Sequence, residues 1–150
     1  ADLTDSDMSF VSFNNVDLSF SNFSNANLVN IQFDNAKLWK TKLNNVKFTN
    51  ASFIQSDNYY SEFKKSKLEN ADFSSSRLSN VNFNDANLSN SNFLNVFPIN
   101  SSFDNANLED SILNTCLKHD FGSRILNKVL RSIDSLELEF LESIIVKICN

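Results

Sequence analysis

Apolar residues return along this chain at every fifth position. In FDNAKLWKTKLNNVKF, from Phe33 to Phe48, they are Phe33, Leu38, Leu43 and Phe48. An α-helix repeats near 3.6 residues and a half-buried strand at 2, so neither accounts for the spacing. Stepping by five from Leu3 to Leu113 requires no insertion and gives 23 centres: ten Phe, ten Leu, one Met, and two departures, Asn58 and Pro98. Two residues before every centre stands Ala, Ser, Val, Ile or Thr. Internal self-similarity of this kind fixes the architecture ahead of any local propensity.

A second period of 20 is superimposed on the first. Phe13, Phe33, Phe53, Phe73 and Phe93 form one series, and both departures share another with Leu18, Leu38 and Leu78. Five residues per side and 20 per turn predict a square coil, with residues twenty apart stacked in columns. Coils stacked at ~4.8 Å would make a rod roughly 27 Å long over nearly six turns. The centre and the small residue two before it should point inward, and a Phe at Ala36 or Ala86 should overpack the corner.

The tripeptides Ala26–Leu28, Ala86–Leu88 and Ala106–Leu108 (ANL) and Ala71–Phe73 (ADF) carry the motif A-[DN]-L-x-x. On these residues the chain resembles the pentapeptide-repeat family over residues 1–115. The resemblance implies an all-β solenoid, a right-handed quadrilateral parallel β-helix with one pentapeptide per side.

The rhythm fades after Leu113. In residues 116–150, Ile125, Leu126, Val129, Leu130 and Ile133 fall on one helical face behind Ser123 as N-cap. A second helix follows Asp134, with Leu138, Leu141, Ile144, Ile145 and Ile148 apolar and Leu136 and Phe140 beside them. An α-helical cap, or the start of a linker, is therefore expected here. The second helix is apolar on more than one stripe, which predicts contact with a further domain or subunit. The chain reads as a piece of a longer protein, with the N-terminal cap of the solenoid upstream.

Composition narrows the picture. One Gly and one Pro in 150 residues leave the turns to Asn, Ser and Asp, which bond to their own backbone. A net charge of -5 argues against direct nucleic-acid binding or attachment to an anionic membrane. No apolar run approaches the ~18 residues of a membrane-spanning helix. Cys116 and Cys149 do not make a disulfide framework.

Catalytic and metal motifs find little support. Asp120–Gly122 reads DFG, but Gly122 is the only glycine and a kinase needs a Gly-rich loop. Cys116 and His119 lack the second histidine that a metal site or thiol–imidazole pair would use, and Cys116 continues the small inward series. Asn-x-Ser triplets at Asn22, Asn50, Asn87 and Asn100 follow from composition. No catalytic residue, metal or cofactor is expected.

One outer face is different. Trp39 shares a column with Tyr59, Ser79 and Ile99; the next holds Phe20, Lys40, Tyr60, Asn80 and Asn100; a third holds Asp17, Lys37, Asp57, Arg77 and Phe97. Tyr59 and Tyr60 could cover the coil where Asn58 replaces an apolar centre, and Phe97 or Ile99 could turn in for Pro98. Trp39 and Phe20 have normal centres at Leu38 and Leu18, so cover does not explain them. Aromatic rings beside cations have the composition of interface hot spots. Phe20, Lys37, Trp39, Lys40, Tyr59, Tyr60, Arg77, Phe97 and Ile99 are therefore the candidate partner-binding residues.

These features predict a non-catalytic protein–protein interaction module of a larger protein. An Asn/Ser-rich repeat followed by helices is similar to the arrangement in type III secreted HECT-like E3 ubiquitin ligases of enteric bacteria. That resemblance implies a catalytic Cys in a separate domain, a host protein as partner, and export from the bacterial cytoplasm into the host cell cytoplasm. The alternative is a DNA-mimic, topoisomerase-binding pentapeptide-repeat protein. Mimicry needs a dense acidic rod, whereas residues 1–115 carry 13 acids and eight bases, with Lys64, Lys65 and Lys67 interrupting the sides.

Overall fold

The computed structural model describes residues 1–96 and 98–113, which form the compact unit Ala1–Leu113. Phe97, Cys116, His119, the DFG tripeptide and the expected C-terminal helices lie outside the described residues. Within the unit the chain winds in coils of 20 residues. Parallel bridges join Asp2 to Asn22, Asn22 to Lys42 and Lys42 to Glu62, and likewise Asp17 to Lys37, Lys37 to Asp57 and Asp57 to Arg77. The ladder extends to the two-residue pair β1 (Asn92–Phe93) and β2 (Ile112–Leu113), again twenty apart and parallel. Both expected periods are thus present: five complete coils to residue 100 and part of a sixth.

The corners explain how a chain with one glycine turns so often. Every fifth residue from Asp5 to Asp110 has a positive φ, between 51° and 64°, and none is glycine. Twelve of these 22 corners are Asn and three are Asp, the side chains that adopt the left-handed region most readily. Most turns close with the N–H of the next small residue donating to the preceding centre, as Ala26 does to Phe23 at 3.0 Å, while Val46 and Val81 donate instead to the Ser66 and Ser101 hydroxyls.

The remaining donors follow a fixed scheme. The centre and the corner residue donate to the following coil, as Leu28 does to Lys47 and Asn30 to Thr49; the residue before the centre donates to the preceding coil, as Asn27 does to Ser6. The N–H just after the centre has no such ladder partner. An Asp or Asn just before the centre supplies one: Ser19 donates to the Asp17 carboxylate at 3.0 Å, and Ser24 to the Asn22 side chain at 3.1 Å. In other columns the acceptor is one coil away, as when Asp34 donates to Asn14 at 2.8 Å. Most backbone donors are therefore satisfied with almost no regular strand.

The interior holds two phenylalanine series from opposite sides of the square. Phe13, Phe33, Phe53, Phe73 and Phe93 stack with centroids 4.6–5.7 Å apart, and Phe63, Phe83 and Phe103 stack at 5.0 Å. The two series meet edge to face, as Phe53 and Phe63 do at 81°. In the third coil Leu43 occupies a phenylalanine column and Phe48 a leucine column. Phe48 leans on Phe33, Phe53 and Phe63 and fills the volume that Leu43 leaves.

The two departures from the pattern are absorbed differently. Asn58 is buried in the tube, donating from Nδ2 to the Ser56 hydroxyl at 2.7 Å, while its side-chain oxygen has no partner. Pro98 is also buried. A centre normally donates its N–H to the following coil, and proline has none to give. The residues twenty further along the chain lie outside the described ones.

Candidate aromatic interface

The candidate surface is built on the corner column Phe20, Lys40, Tyr60, where the fold elsewhere places mostly Asn or Asp. These residues hold φ values of 63°, 51° and 60°. A side chain branching into a ring or a long stem is disfavoured there by about 1–2 kcal/mol. Three successive corners on one edge of the tube therefore carry residues that its backbone does not favour. Phe10, Gln55, Lys65 and Ser75 stand at left-handed corners too, but only the Phe20, Lys40, Tyr60 column holds three such residues in succession.

The side chains associate across the coils. The Lys40 ammonium lies between two rings, 5.8 Å from the Phe20 centroid and 6.0 Å from that of Tyr60. Tyr60 meets Tyr59 edge to face with centroids 4.5 Å apart, and Tyr59 lies 6.3 Å from Trp39 in the same column. Hydrogen bonding by Tyr60 and its charge push the Tyr59 phenol above its ordinary value. All of these rings remain substantially exposed, from 41% for Tyr59 to 68% for Phe20.

The neighbouring column alternates in charge. Asp17, Lys37, Asp57 and Arg77 follow one another through parallel bridges, and the Arg77 guanidinium reaches Asp57 at 3.5 Å. Asp17 accepts from the Ser19 hydroxyl and N–H, which hold its carboxyl below the usual range, with a smaller contribution from Lys37. A shallow open groove lined by Asn35, Lys37, Gln55, Asp57, Ser75 and Arg77 runs beside this column.

The structure thus brings together Phe20, Trp39, Lys40, Tyr59 and Tyr60, with Lys37 and Arg77 alongside. Ile99 is exposed in the Trp39 column, separated from Tyr59 by the coil of Ser79. Neither tyrosine folds over Asn58, which the core already buries, and Ile99 does not turn in for Pro98. Sequence reasoning overlooked the face beyond the corner, where Lys42, Lys64 and Lys65 are exposed. The available signal was that lysines replace Asn and Asp at turn positions. Among the described residues no cluster of three metal-ligating side chains occurs, and no helix is long and apolar enough to cross a membrane.

Comparison with known proteins agrees with this geometry. No curated protein sequence matches significantly. A trypsin-treated variant of QnrB1, a plasmid-mediated fluoroquinolone resistance protein, superposes with a TM-score of 0.64 at 18% identity, covering 71% of this chain and 57% of that one. Rfr23, a pentapeptide repeat protein of the cyanobacterium Cyanothece 51142, is 22% identical over 64% of this chain and 63% of its own, with a TM-score of 0.40. HetL of Nostoc sp. strain PCC 7120, involved in heterocyst differentiation regulation, is 14% identical over 80% and 90%, with a TM-score of 0.33. The chain therefore spans less than two thirds of the first two structures. The family model for pentapeptide repeats (8 copies) matches residues 1–39, 26–57, 61–95 and 82–117. With these matches on the same coils that the bridges and corners define, the chain belongs to the pentapeptide-repeat family and folds as its right-handed β-helix solenoid.

Proposed function

We propose that this solenoid is a non-catalytic docking module of a larger protein and that it binds a protein partner through Phe20, Trp39, Lys40, Tyr59 and Tyr60. The observation carrying this reading is the corner column of Phe20, Lys40 and Tyr60, where exposed rings and a cation replace the Asn that suits the backbone. A rigid coil stack holds these side chains in place before binding, which limits the ordering cost of association. The order of repeat and expected helices supports placing the module in a secreted, HECT-like E3 ubiquitin ligase effector. There it would engage a host protein in the host cytoplasm, with catalysis in a separate domain.

The test compares proteins captured by the native chain and by the Phe20→Ala/Trp39→Ala variant at matched thermal stability. Loss of a specific partner in the variant supports the docking face; an unchanged set of partners removes it. The alternative, a DNA-mimic topoisomerase binder, rests on the acidic net charge and the shared fold. It predicts inhibition of gyrase supercoiling at micromolar concentration, and no inhibition removes it.

A further inference from the structure

The charges of the solenoid are sorted along its axis. Residues 1–36 carry Asp2, Asp5, Asp7, Asp17 and Asp34 and no Lys or Arg. Residues 78–113 carry Asp85, Asp104, Glu109 and Asp110, again without a Lys or Arg. All eight cations of residues 1–113 fall between Lys37 and Arg77, against four acids, Asp57, Glu62, Glu69 and Asp72. The middle of the tube is a belt with a surplus of four positive charges, bounded by acidic coils on both sides.

The belt coincides with positions where the sequence abandons the preferences of its own fold. Lys37, Lys42, Lys47, Lys67 and Arg77 stand just before a centre, where Asp17, Asn22, Asp72 or Asn82 accepts the otherwise unpartnered N–H of the turn. Lys40 and Lys65 stand at left-handed corners, with φ of 51° and 58°. Seven of the eight cations thus occupy sites that elsewhere hold mostly Asn or Asp, and only Lys40, over two rings, and Lys37 and Arg77, beside aspartates, have a local contact to set against that preference. All eight are exposed.

Nor do the cations neutralise one another's neighbours. Among the described residues the one ion pair is Arg77–Asp57. Glu62 already accepts from the Asn44 amide at 2.7 Å. Lys40, Lys42, Lys64 and Lys65 remain unpaired around the corner that carries Tyr60, with Trp39 and Tyr59 on its other side.

We infer that the docking face takes a short acidic segment of a partner protein, its carboxylates on the lysines of the belt and an apolar side chain against Trp39 and Tyr59. This rests on the docking reading above and specifies the chemistry of the partner. The length is bounded by the fold: two coils rise only ~10 Å along the axis, and the acidic coils on either side repel a longer polyanion. A nucleic-acid strand lying along the tube would meet those coils, whereas a few residues of extended chain would not.

The experiment uses the 150-residue chain and follows the emission of Trp39, the single tryptophan. The probes are a four-residue Asp/Glu peptide containing one Leu, its Asn/Gln counterpart, a 20-nucleotide oligo-dT and phosphatidylserine vesicles. The acidic peptide should bind, with affinity falling as salt rises, and at least tenfold more tightly than the amide peptide. Lys40→Asn/Lys42→Asn/Lys64→Asn should weaken it at least tenfold while the Tm holds or rises. A fall in Tm would show the lysines to be structural and overturn the inference. So would equal binding of the amide peptide, tighter binding of oligo-dT or vesicles, no binding of the acidic peptide, or salt-sensitive self-association in sedimentation. If the acidic peptide fails while Phe20→Ala/Trp39→Ala still loses a captured protein, only the acidic chemistry falls and the docking face stands.

Discussion

At each corner of the tube one residue must adopt a φ near +60°, and its side chain decides how much that costs. Phe10 and Phe20 share this burden, at 64° and 63°, and both are exposed. Replacing either with Asn should stabilise the chain by about 1 kcal/mol, by relieving left-handed strain. Thermal melts check this, and the two variants should part in function: Phe10→Asn leaves partner binding intact, whereas Phe20→Asn weakens it. A second residue-scale prediction concerns Asp17, whose carboxyl is held below its ordinary 3.8 by the Ser19 hydroxyl and N–H. A depressed folded pKa adds stability above the unfolded value, and that stability is lost as pH falls through the folded pKa. NMR titration should place the Asp17 midpoint below 3.8, and Ser19→Ala should return it towards that value.

At the scale of one coil, packing is a matter of total volume. Leu43 and Phe48 exchange the residue types of their columns, and the Phe48 ring closes the space beside Phe33, Phe53 and Phe63. Leu43→Phe alone should overpack the coil and cost about 1–3 kcal/mol, while Phe48→Leu alone should leave a cavity. The double exchange restores the arrangement of neighbouring coils and should cost less than the sum of the two. Denaturant unfolding of the three variants measures that coupling, expected at about 0.5–3 kcal/mol. Additive effects would mean that Phe48 does not fill the space left by Leu43.

Across the whole unit, an interior coil is hydrogen-bonded on both sides, as Lys47 is to Ala26 above and Phe48 to Lys67 below. Stability in such stacks is a sum of coils and their interfaces. Amide exchange should therefore be slowest for residues 41–80 and faster in the first coil, where the inward Val11 and Val16 are partly exposed. Uniform exchange along the axis would mean that the stack opens as one cooperative unit. The same axis sorts the charges, so most of the belt, from Lys42 to Arg77, lies within the coils expected to open least.

Much of this was legible in the sequence because a solenoid makes contacts at fixed separations. Five residues per side and 20 per coil placed Phe13 against Phe33 and Trp39 beside Tyr59, as the ring distances show. The identity of the corner residues was less legible. Asn marks a left-handed turn only when its φ is known, so the strain at Phe20, Lys40 and Tyr60 was invisible until the backbone was.

The sequence alone determined the period, the columns and the aromatic face, because stacking at a constant register turns spacing directly into proximity. Only the tertiary structure decided that Asn58 is held inside while Tyr59 and Tyr60 stay out, and that Lys40 lies between Phe20 and Tyr60. Those outcomes depend on side-chain direction at a corner, which the local order of residues does not specify and packing against the adjacent coils does.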